Sequence, residues 1–360
     1  MLDKILKVAQ LSNESILIEG LHGIGKSAQV KKYANKNNIH LETLYLSHQE
    51  VGDLIGIPTI VNNITIWTKP SWLIRMEEAS SKGQYCILFL DELNRAQRDV
   101  RQTALQITLD KKLHEHQLPS LNGQETLIIT AINPEDDKQI DYQVDELDTA
   151  LKDRFLYYKM KVDVKTWLRW ARENDISDEI TFFITEFPDR LFYFTNEKTH
   201  PTPRSWAMLS RLLKNSKSLT KNERRIIING KLGQTIGSQF YSYYENFSNT
   251  IKLKDIEEFI LDNKNIPKNE LITRIKEQFL KEKPKIWISE IAERLFTKYI
   301  KSKKNQIILI IFLDSINLEI LASLFQGMKN NNSKQLAKFI SIEGGNEIID
   351  KIANKIDFGH

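Results

Sequence analysis

The 360-residue chain has little of several residue types that define whole classes of protein. It contains one cysteine, Cys86, so no disulfide can form within the chain. Cys86 lies in the apolar run 85–90, where a small buried hydrophobe is favoured over a reactive thiol. Glycine and proline, at 14 and 9 residues, are not enriched, which argues against extensive disorder. The length instead predicts two or three folded units.

The sequence also lacks a strong charge imbalance and any long apolar run. Its 51 basic and 47 acidic residues are mixed along the chain and give a net charge of +4, which neither implies nor excludes nucleic acid. The longest apolar run, residues 307–313, is far shorter than the roughly 20 residues that span a bilayer. The first residues of the chain, 1–7, include charged side chains and lack the apolar core of a signal peptide. We therefore expect a cytoplasmic protein without a membrane partner.

Short β-branched or aromatic runs alternate with helical patterns through the first half of the chain. This alternation predicts an α/β fold with about five parallel strands and crossover helices. Helical spacing dominates from about residue 167, which predicts a helical lid followed by a helical extension. The predicted domains are an α/β core at 1–160, a lid at 161–250 and an extension at 251–360. The predicted strands are 15–19, 44–46, 85–90, 127–132 and 155–160.

The strongest motif follows the first predicted strand. The segment Gly20-Leu-His-Gly-Ile-Gly-Lys-Ser27 has the pattern of a phosphate-binding loop, and it lies between a strand and a helical stretch, as that loop requires. Its glycines let backbone N–H groups converge on phosphate oxygens, while Lys26 reaches the β- and γ-phosphates and Ser27 binds Mg²⁺. The motif therefore predicts ATP and Mg²⁺ as ligands. The predicted ATP contacts are Gly20, His22, Gly23, Ile24, Gly25, Lys26, Ser27 and Ala28.

Two further strands end in polar side chains that suit hydrolysis. An apolar strand at 87–90 runs into Asp91 and Glu92. Asp91 is predicted to hold the Mg²⁺ shell, and Glu92 to orient or deprotonate the attacking water. Asn133 comes directly after the strand 127–132, and its amide is predicted to hold that water between Glu92 and the γ-phosphate. Because Asn-Pro also initiates turns by itself, the order of the motifs along the chain carries this last assignment.

Four segments, in this order, resemble the MoxR-type branch of the AAA+ ATPases, which is dynein- and midasin-related. The resemblance covers roughly residues 1–250. It implies a wedge-shaped α/β core with a helical lid, assembled into rings, usually hexamers, with ATP between neighbouring subunits. It also implies a protein partner, commonly one that carries a von Willebrand factor A domain. The segments are Asp91-Glu-Leu-Asn-Arg-Ala96, Thr130-Ala-Ile-Asn-Pro134, Leu147-Asp-Thr-Ala-Leu-Lys-Asp-Arg-Phe155 and Pro201-Thr-Pro-Arg-Ser-Trp206.

Three arginines take predicted roles from this resemblance. Arg154 matches the arginine finger that reaches a neighbour's γ-phosphate, and Arg204 matches the lid arginine called sensor 2. Arg95 occupies a position that is expected to support the subunit interface. From the residues alone, Arg154 could instead pair with a local carboxylate, and Arg204 could stack or cap beside its flanking prolines and Trp206.

Two insertions interrupt the predicted α/β core. Residues 52–67 predict a turn-rich loop or short hairpin, and residues 109–126 predict a second hairpin in which Asn-Gly at 122–123 signals a tight turn. Both resemble elements that this branch places near the pore of its ring, so they are candidate substrate contacts. His114 and His116, as alternate residues of this hairpin, are predicted to lie on one solvated strand face. They are not predicted to bind a metal, because two imidazoles without other nearby ligands do not make a metal site.

These patterns favour an ATP-dependent remodelling or chaperone-like ATPase that acts on a protein partner or target complex. A motor that acts on DNA is one alternative, since the mild positive charge permits it. A nucleotide-gated assembly scaffold with little turnover is another. The presence of Glu92, Asn133 and Arg154 together argues against the scaffold.

Overall fold

The structure, a computed structural model, divides into two compact units. The first comprises Met1–Val162 with Thr202–Arg204, and the second comprises Asp163–Pro201 with Ser205–His360. The residues that the structure describes are 2–134, 152–216, 218–247, 253–300, 302, 305–331 and 333–356.

The first unit is built around a parallel sheet of five strands, in the order β11 (Leu156–Lys159), β1 (Ile16–Glu19), β10 (Leu127–Ile132), β5 (Cys86–Asp91) and β2 (His40–Tyr45). This arrangement confirms the predicted α/β fold, and a strand is present at each of the five predicted places, although β2 covers a different range from the predicted 44–46. Its helices are α1 (Leu2–Ser12), α2 (Lys26–Lys36), α3 (Val51–Ile55), α4 (Ser71–Ser81) and α5 (Arg98–Asp110). Its strands are β1 (Ile16–Glu19), β2 (His40–Tyr45), β3 (Pro58–Val61), β4 (Ile64–Trp67), β5 (Cys86–Asp91), β6 (Lys112–Leu113), β7 (His116–Gln117), β8 (Ser120–Leu121), β9 (Gln124–Glu125), β10 (Leu127–Ile132) and β11 (Leu156–Lys159).

Burial explains which strands the sequence predicts well. Every residue of β1, β5 and β10 is buried, as expected for inner strands that are covered on both faces. The edge strand β2 begins at His40, earlier than the predicted start at residue 44, because the polar residues His40, Glu42 and Thr43 interrupt its apolar pattern. The phosphate-binding loop and the Asp91-Glu92 pair therefore lie at the carboxyl edge of the sheet, at the ends of buried inner strands.

The first insertion is a hairpin of β3 and β4. Its turn residues, Asn62 and Asn63, both have positive φ angles, 53° and 61°, as a two-residue type I′ turn requires. The second insertion differs from the prediction, because it forms two small hairpins, β6–β7 and β8–β9, in place of one. The segment between β6 and β7 begins at His114 (φ 46°), so the prediction that His114 and His116 share one strand face is wrong.

The two insertions are joined through Trp67. The ring of His114 stacks on the Trp67 indole, with centroids 3.9 Å apart and planes inclined by 14°. The Trp67 backbone N–H donates to Glu115 Oε1 at 3.2 Å, and His116 Nε2 lies 2.9 Å from the Trp67 carbonyl oxygen. The histidine pair that the sequence singled out therefore anchors one hairpin to another.

The second unit is helical in its described residues. One apolar cluster includes Phe182 of the predicted lid and many residues after 253, so the described parts of the two predicted helical domains share one compact unit. The predicted boundary at 250/251 lies between residues outside the described set and stays a prediction. The helices are α6 (Val164–Glu173), α7 (Asp178–Glu186), α8 (Pro203–Lys214, which starts in the first unit), α9 (Lys221–Leu232), α10 (Gln234–Asn246), α11 (Leu253–Asp262), α12 (Lys268–Ile275), α13 (Lys285–Tyr299), α14 (Gln306–Ser315), α15 (Leu318–Asn331), α16 (Ser333–Ile340) and α17 (Gly345–Ile356).

A buried ionic network joins α6, α7 and α13 within the second unit. Glu290, whose side chain is 1% exposed, accepts from Arg172 at 2.5 and 3.1 Å and from Arg294 at 3.0 Å. Arg172 also bonds Glu293, and Arg294 also bonds Asp178. Removing one partner of such a buried network leaves an uncompensated charge, which typically costs about 3–5 kcal/mol.

Among the described residues, no helix is both long and apolar enough to cross a membrane.

Candidate active site

The phosphate-binding loop turns sharply between β1 and α2. Gly25, just before α2, has a φ of 100°, a left-handed conformation that glycine adopts without a steric penalty. At Gly23 a Cβ atom would lie 2.8 Å from Thr202 Oγ1, so the loop packs closely on the segment before α8. Within the loop, Ile24 is buried and His22 is half-buried. Ser27 and the exposed Ala28 line a cleft of about 630 Å³ between α2 and β2.

Lys26 is buried and points back into the loop. Its Nζ donates to the carbonyl oxygens of Gly20 at 2.5 Å and Leu21 at 3.2 Å, and to Asn133 Oδ1 at 3.0 Å. Burial lowers the pKa of Lys26 to about 8, and the carboxylate of Asp91 opposes this shift. The ammonium group is therefore held in a desolvated place, where a nearby anion such as a phosphate would stabilise its charge.

Ser27 and Asp91 meet across the carboxyl edge of the sheet. The Ser27 hydroxyl donates to Asp91 Oδ2 at 2.7 Å, and Asp91 Oδ1 accepts from the Glu92 N–H at 3.0 Å. A hydroxyl and a carboxylate are ligands that suit Mg²⁺, which takes only one or two carboxylates beside substrate phosphates and water. The two residues therefore fit the predicted magnesium site. No group of three or more His, Cys, Asp or Glu side chains suited to a metal occurs in the described part of the chain.

Glu92 is oriented by two contacts that involve different elements. Its backbone is left-handed, with φ 61° and ψ 38°, which is uncommon for a residue with a side chain. Ser47, just after β2, donates from its hydroxyl to Glu92 Oε2 at 2.5 Å. Arg95 lies 3.5 Å from Glu92 Oε1 in the same chain. Ser47 could not be predicted from the sequence, since a serine after an edge strand belongs to no motif.

Asn133 follows β10 and is buried beside Lys26. Its backbone is bonded by the side chain of Asn94, which lies in the short 3₁₀ helix Leu93–Arg95. Asn94 belongs to the motif at 91–96, but the sequence predicts no role for it. The structure thus brings together five predicted site residues, which are Lys26, Ser27, Asp91, Glu92 and Asn133.

The two remaining predicted arginines lie in different places. The Arg204 backbone N–H donates to the Gly23 carbonyl at 3.0 Å, and its charge lowers the pKa of Lys26, so it lies near the loop. Arg154 is exposed and precedes β11, whose amino end is level with that of β1. Gly20 follows the carboxyl end of β1, so a four-residue strand, about 13 Å long, separates the two levels. Residues 147–151 of the motif that contains Arg154 lie outside the described residues.

The chain is similar to several known proteins. Residues 15–155 match the family described as AAA domain (dynein-related subfamily). BssE of Thauera aromatica, whose own role as a chaperone is a proposal, is 26% identical over 158 residues, which are 43% of this chain and 53% of BssE. The chain thus matches about half the length of that relative.

Two solved structures are also similar. A Cytophaga hutchinsonii protein named as a candidate ATPase is 16% identical, with a TM-score of 0.34 over 73% of this chain and 88% of that one. The RuvB Holliday junction branch migration motor of Thermotoga maritima is 13% identical, with a TM-score of 0.35 over 75% of this chain and 78% of that one.

The matched segment begins one residue before β1 and ends one residue before β11, and it contains the phosphate-binding loop, the Asp91-Glu92 pair and Asn133. The family match confirms the predicted resemblance to the dynein-related AAA type. Residues 15–155 therefore match an AAA domain of the dynein-related subfamily, which is an ATPase domain.

Proposed function

We propose that the protein is a remodelling ATPase that hydrolyses ATP between copies of itself, arranged in a ring, and acts on a protein partner. The observation that carries this proposal is the position of Arg154. Arg154 is exposed at the amino end of β11, whereas the phosphate-binding loop lies at the opposite edge of the same sheet. An arginine that stabilises a transferring phosphoryl group must reach it, and from this edge it can reach only the site of a neighbour.

The chemistry of hydrolysis is assigned to residues of one chain and one arginine of the next. Lys26 binds the β- and γ-phosphates, and Ser27 and Asp91 hold Mg²⁺, which when bound neutralises phosphate charge. Glu92 accepts the proton of the attacking water or orients it, while the Asn133 amide holds that water. The guanidinium of Arg204, near the same loop, adds positive charge beside the phosphates. A hexamer is the expected ring.

Ser47 is a positioning residue for Glu92 in this scheme. Its hydroxyl donates to one oxygen of the Glu92 carboxylate at 2.5 Å. Ser47→Ala should therefore remove this bond and leave ATP binding unchanged. A hydrogen bond to a charged group is worth about 1.5–3 kcal/mol, so we expect the kcat for ATP hydrolysis to fall by about tenfold. Steady-state ATPase assays would measure the change against Ser81→Ala, a matched loss of an exposed serine hydroxyl in α4. Equal kcat values for the two variants would refute the positioning role.

The apolar hairpin, residues 57–67, supports a protein partner over DNA. It has no charged residue, and several of its aliphatic side chains are exposed, among them Ile60 at 75% and Ile64 at 64%. DNA binding depends on neutralising phosphates with lysine and arginine, which this surface lacks. An unfolded polypeptide segment, or a partner with a von Willebrand factor A domain, would instead bury these side chains.

Substitution of the apolar hairpin tests this assignment. Ile60→Ser with Ile64→Ser should weaken the binding of fluorescein-labelled casein, an unfolded polypeptide, by about tenfold or more, because each buried isoleucine is worth about 1.5–3 kcal/mol. Fluorescence anisotropy with ATP, in a Glu92→Gln background that stalls turnover, would report the affinity. The matched control is Ile226→Ser, an isoleucine of the second unit that is 63% exposed. Unchanged casein affinity together with tight DNA binding would favour the DNA motor.

A further inference from the structure

Two asparagines face each other at the ends of neighbouring strands. The Asn94 Nδ2 group donates to the Asn133 carbonyl oxygen at 2.8 Å, and the Asn133 backbone N–H donates to Asn94 Oδ1 at 3.2 Å. Both residues are buried, at 1% and 5% exposure. A single side chain therefore satisfies both polar backbone groups of Asn133 in a place that water does not reach.

The pairing continues the sheet past the point where its ladder ends. Strands β10 and β5 pair as far as Thr130 and Leu90, and the chain after β5 then turns away at Glu92. An asparagine amide offers one donor group and one acceptor in the plane of a peptide, so Asn94 can take the place of the missing strand neighbour. On the other side, the Ile132 carbonyl accepts from the Gly20 N–H at 3.2 Å. The end of β10 is thus fixed from both sides.

The fixed backbone directs the Asn133 side chain into the site. Asn133 Oδ1 accepts from Lys26 at 3.0 Å, whereas each Asn94 bond given above runs to the Asn133 backbone. Asn94 lies two residues after Glu92 on the same short turn. A displacement of that turn would therefore move the carboxylate and the amide together.

We propose that Asn94 is a positioning residue for hydrolysis, which holds the Asn133 amide at a set distance from Glu92. The inference rests on the proposed role of Asn133 in holding the attacking water. A side chain that only stabilised the fold would contribute to thermal stability and leave turnover of the folded protein unchanged. A positioning residue changes kcat, and it does so only while the Asn133 amide is present to be positioned.

Asn94→Leu separates these roles, because leucine keeps the shape of asparagine and removes both hydrogen bonds. We expect kcat for ATP hydrolysis to fall by about tenfold or more, since a buried group left unsatisfied is costly, with the Kd for ATP within about threefold of the parent. The matched control is Gln10→Met, which removes a buried amide that accepts from Tyr33 at 2.8 Å in the same unit. It should lower the melting temperature by a similar amount and leave kcat unchanged.

A double-variant cycle gives the decisive comparison. Asn94→Leu should slow an Asn133→Ala protein no further, because no amide remains to be positioned. Multiplicative losses, or a full kcat in Asn94→Leu below its melting temperature, would overturn the inference. Full turnover in Asn133→Ala alone would instead refute the role of Asn133. If Asn94→Leu does not fold, Asn94→Asp answers the same question, since it keeps the acceptor, loses the donor and should still lower kcat.

Discussion

Replacing Arg154 by alanine is expected to leave ATP binding intact and to slow hydrolysis by about 10³-fold or more. The reason is the position of Arg154 at the amino edge of the sheet, away from the phosphate-binding loop of its own chain. Its charge is useful where negative charge builds on the transferring phosphoryl group of a neighbour. Nucleotide titration and phosphate release would measure the two effects, with Arg211→Ala as the matched loss of an exposed arginine in α8.

Mixing two inactive variants tests whether Arg154 acts between chains. Glu92→Gln keeps the arginine but cannot activate its own water, and Arg154→Ala has the opposite defect. In a mixed assembly, some interfaces contain an intact Glu92 facing an intact Arg154, so partial ATPase activity should reappear. If the subunits demonstrably exchange and the mixture stays inactive, Arg154 is better explained as the partner of a local carboxylate.

Substitutions of Lys26 and Glu92 are expected to impair different steps, ATP binding and ATP hydrolysis. Lys26→Ala is expected to weaken ATP binding by about tenfold to a hundredfold, because it removes a charged donor that the loop holds in a buried place. Glu92→Gln should bind ATP normally and lower kcat by about 10²–10⁴-fold, because it removes the group that activates water. Fluorescent-nucleotide titration and single-turnover assays would report the two steps. An equal loss of affinity in both variants would contradict these assignments.

The sequence predicted the central sheet well because burial on both faces produces continuous apolar runs. The edge strand was predicted too short, since His40 and Glu42 interrupt its apolar residues. The site residues that belong to motifs were found for a similar reason, because phosphate and metal chemistry restricts both residue type and spacing.

The residues that orient the site were harder to predict. Ser47 and Asn94 act through side-chain bonds to Glu92 and to the Asn133 backbone, and these contacts depend on how distant segments fold together. The role of His114 was hidden for the same reason, since its partner Trp67 lies in another hairpin. Contacts of this kind leave no periodicity in the chain.

The buried network around Glu290 has a consequence for how the chain is made. Arg172 is synthesised 118 residues before Glu290, its partner in the folded protein. Until α13 leaves the ribosome, the helices α6 and α7 expose Arg172 and an unpaired apolar face that includes Phe182. Contacts so distant in sequence form slowly, because loop closure must come first. The first unit can start folding earlier, since all its strands lie within the first 159 residues.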